Sequence, residues 1–177
     1  VSVMDLFKRE KYLKKIRPFY DQEDLIKVIT GVRRCGKSSL MQTICEELKS
    51  TGIKDEQIIY IDLDSRKNRN INKANDLDNL IETLSTVDNH KYLFIDEIQN
   101  SAKAVALLRY FYEELPDIYV IAAGSLLENL IDVRVSFPVG RVQYMALRPC
   151  SFREFLGAVG EEPLLSVLDK PEITLAF

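Results

Sequence analysis

The sequence predicts an α/β protein, a three-layer α/β/α sandwich around a mainly parallel five-stranded sheet. Three observations predict it. Five short apolar runs, several rich in β-branched residues, fall at 25–30, 57–64, 91–96, 118–123 and 142–147 and read as strands. Segments with helical spacing of apolar residues separate them, the alternation expected of parallel pairing. The first run stops abruptly at Gly31 and the third runs into Asp96-Glu97, as a buried strand does where it emerges at a ligand crevice.

Taken in order, residues 4–17 have the spacing of an amphipathic helix with Leu6, Phe7, Leu13 and Ile16 inward. Lys8, Arg9, Lys11, Lys14, Lys15 and Arg17 are assigned to its other face, read as solvated; the sharper alternative is a nucleic-acid or partner contact. Arg17-Pro18-Phe19-Tyr20 breaks the helix before the first strand. After that strand, Leu40, Met41, Ile44, Cys45 and Leu48 share one helical face, and Gly52 supplies a stop. Residues 65–75 form a polar, Asn-rich surface loop. Asp76 caps a helix carrying Leu77, Leu80, Ile81, Leu84 and Val87, and Ser101 starts another carrying Val105, Leu108, Phe111, Tyr112 and Leu115. Residues 133–141 are an irregular connection, and Ser151 with Glu154 makes a capping box for the last strongly patterned helix. The organisation expected is an N-terminal helix and linker over 1–20, a core over 21–157, and the start of a truncated C-terminal region over 158–177.

Between the first strand and its helix, Gly31-Val32-Arg33-Arg34-Cys35-Gly36-Lys37-Ser38 matches G-x-x-x-x-G-K-[ST] at every fixed position. Glycine lets the backbone curl around a polyphosphate, and successive N–H groups at the helix N-terminus point at the anion. Gly31 through Ser39 are therefore the candidate nucleotide-binding residues. Lys37 is placed to bridge the β- and γ-phosphates, and the Ser38 hydroxyl to join the shell of a hydrated Mg²⁺. Asp96 is the second candidate for that metal, and Glu97 can polarise an attacking water. Ser125, just past the fourth strand, is placed either to meet the γ-phosphate or that water, or to cap the following helix. Ile16, Pro18 or Phe19 is either a wall for the adenine base or ordinary core.

Composition narrows the classes. The chain has 177 residues, of which 46% are hydrophobic and 29% charged, enough for one domain with a full core. A net charge of −3 excludes a wholesale nucleic-acid binder. Three cysteines without repeated spacing argue for a reducing compartment, and one histidine, His90, argues against zinc. No apolar run is long enough to span a membrane and no signal peptide opens the chain, so the expected location is the cytoplasm. Opening on Val1 rather than Met, the sequence reads as a fragment.

Together, ITGVRRCGKSSLM, YLFIDEIQN, AAGSLLENL, Gly140-Arg141 and ALRPCSFREFL resemble the P-loop ATPases of the additional-catalytic-glutamate type, and more narrowly the AAA superfamily. They are most similar to a group of prokaryotic AAA-type ATPases whose ATPase domain precedes a separate C-terminal domain. The resemblance runs from about residue 8 to residue 157. It implies Mg²⁺-dependent binding and hydrolysis of ATP, with Lys37 and Ser38 on phosphate and metal, Asp96 on metal, Glu97 on the water and Ser125 as a sensor. Arg141 lies where many such ATPases keep a finger for a neighbouring subunit's γ-phosphate, with Arg134 and Arg148 as competitors. A homo-oligomer, and a DNA or protein target reached through an absent C-terminal domain, also come within what it implies. The helical lid that usually follows such a core finds too few residues here. A rival reading is a nucleotide-gated regulatory or DNA-associated switch. A small-molecule P-loop kinase fits worse, because an Asp-Glu pair suits water better than an acceptor alcohol. No Asn/Thr-Lys-x-Asp element is present, which favours adenine over guanine.

Overall fold

The computed structural model describes residues 8–22, 25–64, 79, 82, 90–101, 104–106, 108, 117–125 and 142–168. Its strands are β1 (Ile26–Thr30), β2 (Ile58–Asp62), β3 (Lys91–Asp96), β4 (Ile118–Gly124) and β5 (Val142–Ala146). The α-helices fully within the described residues are α1 (Glu10–Ile16), α2 (Lys37–Ser50), α3 (Phe152–Ala158) and α4 (Glu162–Leu168). The strands lie in the order β2-β3-β4-β1-β5, and every pairing is parallel. The α/β sandwich expected from the sequence is thus the fold, and its sheet is wholly rather than mainly parallel.

Burial follows from that order. Every residue of the central strands β3 and β4 is buried, whereas β5 at the edge is half open. Side chains alternate across the sheet and separate two apolar layers. Ile29, Phe94, Tyr119 and Ile121 meet Tyr12, Leu13 and Ile16 of α1 and Leu40, Met41 and Ile44 of α2. On the opposite face Val28, Leu93, Ile95 and Val120 pack with Ala104, Val105 and Leu108. Leu6, Phe7, Leu84, Phe111, Tyr112 and the connection 133–141 lie outside the described residues.

Helix α2 shows how local sequence sets its ends. Gly36 begins it at φ +96°, and Gly52 ends it at φ +101°, with the Ile53 amide donating back to the Leu48 carbonyl at 3.2 Å. Helix α3 starts with the capping box expected from the sequence: the Glu154 amide donates to Ser151 Oγ, and the Ser151 amide to Glu154 Oε2. Phe152, Phe155 and Val159 of α3's face and turn, and Leu164, Val167 and Leu168 of α4, are exposed.

The basic face assigned to the first helix is only partly solvated. Lys8, Lys11, Lys14 and Lys15 are exposed. Arg17 instead pairs with Glu10 and Glu47, and Arg9 is buried. Among the described residues no helix is long and apolar enough to cross a membrane.

Lys27, on β1, is only 1% exposed, with Nζ donating to the Gln22 carbonyl at 2.8 Å and lying 5.6 Å from the Tyr119 ring centroid. Burial lowers its ammonium to about 8, against a weaker opposing pull from Asp21. A lowered lysine carries its charge-burial cost fully below pH 8, and the cost fades as pH rises toward the unfolded value of 10.5. Lys27→Met should therefore be more stable than wild type by about 1–2 kcal/mol at pH 7. Denaturant melts across pH 7 to 10 should show that advantage shrinking as pH rises.

Candidate functional site

Strand β1 hands the chain to the loop 31–36 through a close backbone approach. A Cβ on Gly31 would lie 2.4 Å from the Leu147 carbonyl oxygen and 2.7 Å from Cys35 Sγ, so no larger residue fits where the chain after β5 crosses the loop. The Leu147 amide donates to the Thr30 carbonyl at 2.7 Å and fixes that crossing. Val32, Arg33 and Arg34 form the exposed crest; Arg34 takes a left-handed φ of +62°, and the Cys35 amide closes the turn onto the Val32 carbonyl at 3.3 Å. Cys35 points inward, only 4% exposed.

Lys37 is buried, with Nζ donating to the carbonyls of Gly31 and Val32 at 3.0 Å each. Its ammonium thus sits inside the curl of the loop. Gly36 gives α2 no side-chain cap, so the first-turn N–H groups face the loop without an intrahelical partner. Ser38 is half-buried and Ser39 exposed on that same turn.

Strand order brings the remaining groups in from the side. β4 lies between β1 and β3, so Ser125 sits between the loop and the Asp96-Glu97 pair. Two inter-strand spacings separate β1 from β3, roughly 10 Å, room for a phosphate chain between them. Asp96 is 3% exposed; Oδ1 accepts from the Glu97 amide at 2.9 Å and Oδ2 from the Tyr60 hydroxyl at 3.0 Å. A carboxylate has about four lone-pair sites, so capacity remains on both oxygens. Burial, reinforced by Asp96, pushes the Tyr60 phenol well above its ordinary range and keeps it a donor. Asp62 of β2 stands beside Asp96 in the sheet register.

Glu97 takes a left-handed backbone, φ +52° and ψ +43°, which turns it out of the strand. Gln99 Nε2 donates to Glu97 Oε2 and, at 3.1 Å, to Ser125 Oγ. Gln99 Oε1 is buried without a hydrogen-bond partner among the described residues. Ser125 is 5% exposed. One amide therefore joins the two groups singled out for water and γ-phosphate.

The sequence-derived set thus lies at the carboxyl ends of neighbouring parallel strands, Gly31–Ser39 after β1, Asp96 and Glu97 at the end of β3 and Ser125 after β4. Arg141 and its competitor Arg134 lie outside the described residues, and Arg148 is exposed beyond β5. Ile16 is core; with Phe19 it lines a groove of about 590 Å³ between α1 and β5, shared with Lys11, Lys15, Lys27 and Arg148.

Three residues in contact with this site were not singled out by the sequence: Tyr60, Gln99 and Arg9. Arg9 Nη1 donates to the Cys35 carbonyl at 3.0 Å. Periodicity could have found it, because Arg9, Tyr12, Leu13 and Ile16 repeat at three and four residues and the last three are buried. For Gln99 the signal was its place two residues past Glu97, within the run YLFIDEIQN.

A family model described as an AAA domain matches residues 23–156. An uncharacterized protein of Haemophilus influenzae is 32% identical over 169 residues, covering 93% of this chain and 41% of the relative. One from Methanocaldococcus jannaschii is 31% identical over 133 residues, covering 74% of this chain and 28% of the relative. The chain therefore spans less than half the length of these relatives. In structure it is similar to AMPPCP-bound DnaA from Aquifex aeolicus, with a TM-score of 0.58 at 16% identity, over 88% of this chain and 50% of that one. It is also similar to Thermotoga maritima RuvB, with a TM-score of 0.55 at 17% identity, over 94% and 54%. At such identities the likeness is one of fold. With three quarters of its length inside the matched segment, the chain belongs to the AAA domain family and carries its P-loop fold.

Proposed function

We propose that this chain is the Mg²⁺-dependent ATP-hydrolysing core of its AAA protein. One observation carries the reading. The phosphate loop and an acidic pair lie at the carboxyl ends of strands two places apart, with a buried serine between them. The loop amides and Lys37 take the phosphates, with Lys37 exchanging its loop carbonyls for phosphate oxygens.

The donor set suits magnesium, since the Ser38 hydroxyl and Asp96 carboxylate are hard oxygen ligands and Asp96 keeps unused lone pairs. When bound there, the ion would neutralise charge on the phosphate oxygens. Glu97 orients a water and accepts its proton as the water oxygen attacks the γ-phosphorus. The bond from that phosphorus to the bridging oxygen breaks, and ADP leaves with the electron pair. Positioning and charge neutralisation supply most of the rate. Homo-oligomerisation, with Arg141 reaching a neighbour's site, belongs to the same proposal.

Lys37→Ala should weaken MgATP binding by about 100-fold or more, through loss of a charged phosphate contact. Titration calorimetry on the full-length protein checks this, and near-wild-type affinity would refute the phosphate assignment. Glu97→Gln should bind MgATP within about threefold of wild type while phosphate release slows by about 10²–10³. A Gln variant turning over at the wild-type rate would remove Glu97 from the chemistry. Arg141→Ala should leave binding intact and lower steady-state turnover by on the order of 10³; unchanged turnover would rule out Arg141 as the finger. Tight binding by the wild type with no steady turnover would favour a nucleotide-gated switch instead.

A further inference from the structure

Arg9 lies ahead of α1, on a stretch the family match does not reach, yet its guanidinium ends at the phosphate loop. It is 8% exposed and uses three of its nitrogens at once. Nε donates to Glu154 Oε1 at 3.0 Å and Nη2 to Glu154 Oε2 at 3.1 Å, the two-pronged geometry that arginine and carboxylate share. Nη1 donates to the Cys35 carbonyl at 3.0 Å. The guanidinium carbon lies 4.5 Å from the Tyr12 ring centroid, and the Tyr12 hydroxyl in turn accepts the Arg148 amide at 3.3 Å.

Glu154 is equally committed, because the oxygen that takes Arg9 Nη2 also takes the Ser151 amide in the α3 capping box. Burial alone would raise its carboxyl, but Arg9 and the Ser151 bonds bring it below the ordinary range. The pair joins residues 145 positions apart. It closes on the peptide between Cys35 and Gly36, whose left-handed conformation begins α2 and aims the first-turn amides.

We propose that Arg9 is a positioning residue for nucleotide binding: anchored by Glu154, it holds the Cys35 carbonyl so that the amides of Gly36 to Ser38 converge on a phosphate. This rests on the nucleotide reading above. Removing Arg9 frees the Cys35–Gly36 peptide to rotate, and the loop must then be ordered by the ligand itself, at a cost in affinity. A lysine keeps the charge but not the fork, and cannot hold Glu154 and Cys35 together.

The test compares wild type, Arg9→Met and Arg9→Lys in the full-length protein, measuring MgATP affinity by calorimetry and thermal melts with and without MgATP. Arg9→Met should bind MgATP about tenfold more weakly, the loss of one charge-assisted hydrogen bond. Its MgATP-induced rise in melting temperature should shrink with that affinity. Arg9→Lys should recover part of the loss, landing about threefold below wild type. Glu154→Gln should also weaken binding, and adding it to Arg9→Met should weaken binding no further, because the two act as one unit. A purely structural role would lower both melts equally and leave affinity and the ligand-induced rise unchanged, which overturns the proposal. Should Arg9→Met fail to fold, Arg9→Lys bears the same test, and wild-type affinity in it is the overturning result. Wild type that binds no nucleotide removes the nucleotide reading together with this inference, whereas wild type that binds beside an equally tight Arg9 variant removes this inference alone.

Discussion

Parallel strands deliver all their carboxyl ends to one edge of the sheet, and the rest of this molecule depends on that constraint. A parallel five-stranded sheet buried on both faces has nowhere else to put polar chemistry. The loop after β1, the acids after β3 and the serine after β4 share one rim because their strands are bonded side by side. Placing β4 between β1 and β3 opens a gap between cation and carboxylates that a direct pairing would have closed. The interior then fixes that gap, since Ile29, Ala123, Ile121 and Phe94 belong to one packed layer.

Much of this was legible in the residues. All five strands lie where the apolar runs placed them: β3 coincides with its run, β4 goes one residue further to Gly124, and β1, β2 and β5 are shorter by one or two residues at four ends. The Ser151–Glu154 box was readable because both partners sit within one turn. Strand order was not readable, because it arises from contacts such as Lys27 against Ile121 that leave no trace in local periodicity. The loop from Gly31 to Ser38 and the Asp96-Glu97 pair stood out through residue types and spacing alone. Gln99 and Tyr60 did not, because each meets its partner only once two chain segments are folded together.

Arg9 shows a different kind of misreading. Its charge argued for solvent while its phase argued for the core, and the phase won. A buried guanidinium is tolerable only with its donors matched, and Glu154, the Cys35 carbonyl and the Tyr12 face match them. Arg17 resolves the same conflict at the surface, sharing Glu10 and Glu47 while Tyr20 donates to Glu47 Oε2 at 2.9 Å. The exposed Arg17–Glu10 half of that arrangement contributes little to stability. The two arginines are eight positions apart and equally charged, yet one reaches the loop and the other ties the end of α1 to α2.

The segment matched by the family begins at residue 23, downstream of α1. Excising the protein at that boundary would strip away the guanidinium and leave the Glu154 carboxylate and the Cys35 carbonyl facing each other, two acceptors with no donor between them. The packed unit around this loop is therefore wider than the segment the family model matches, as is the match to the Haemophilus influenzae relative, which covers 93% of the chain.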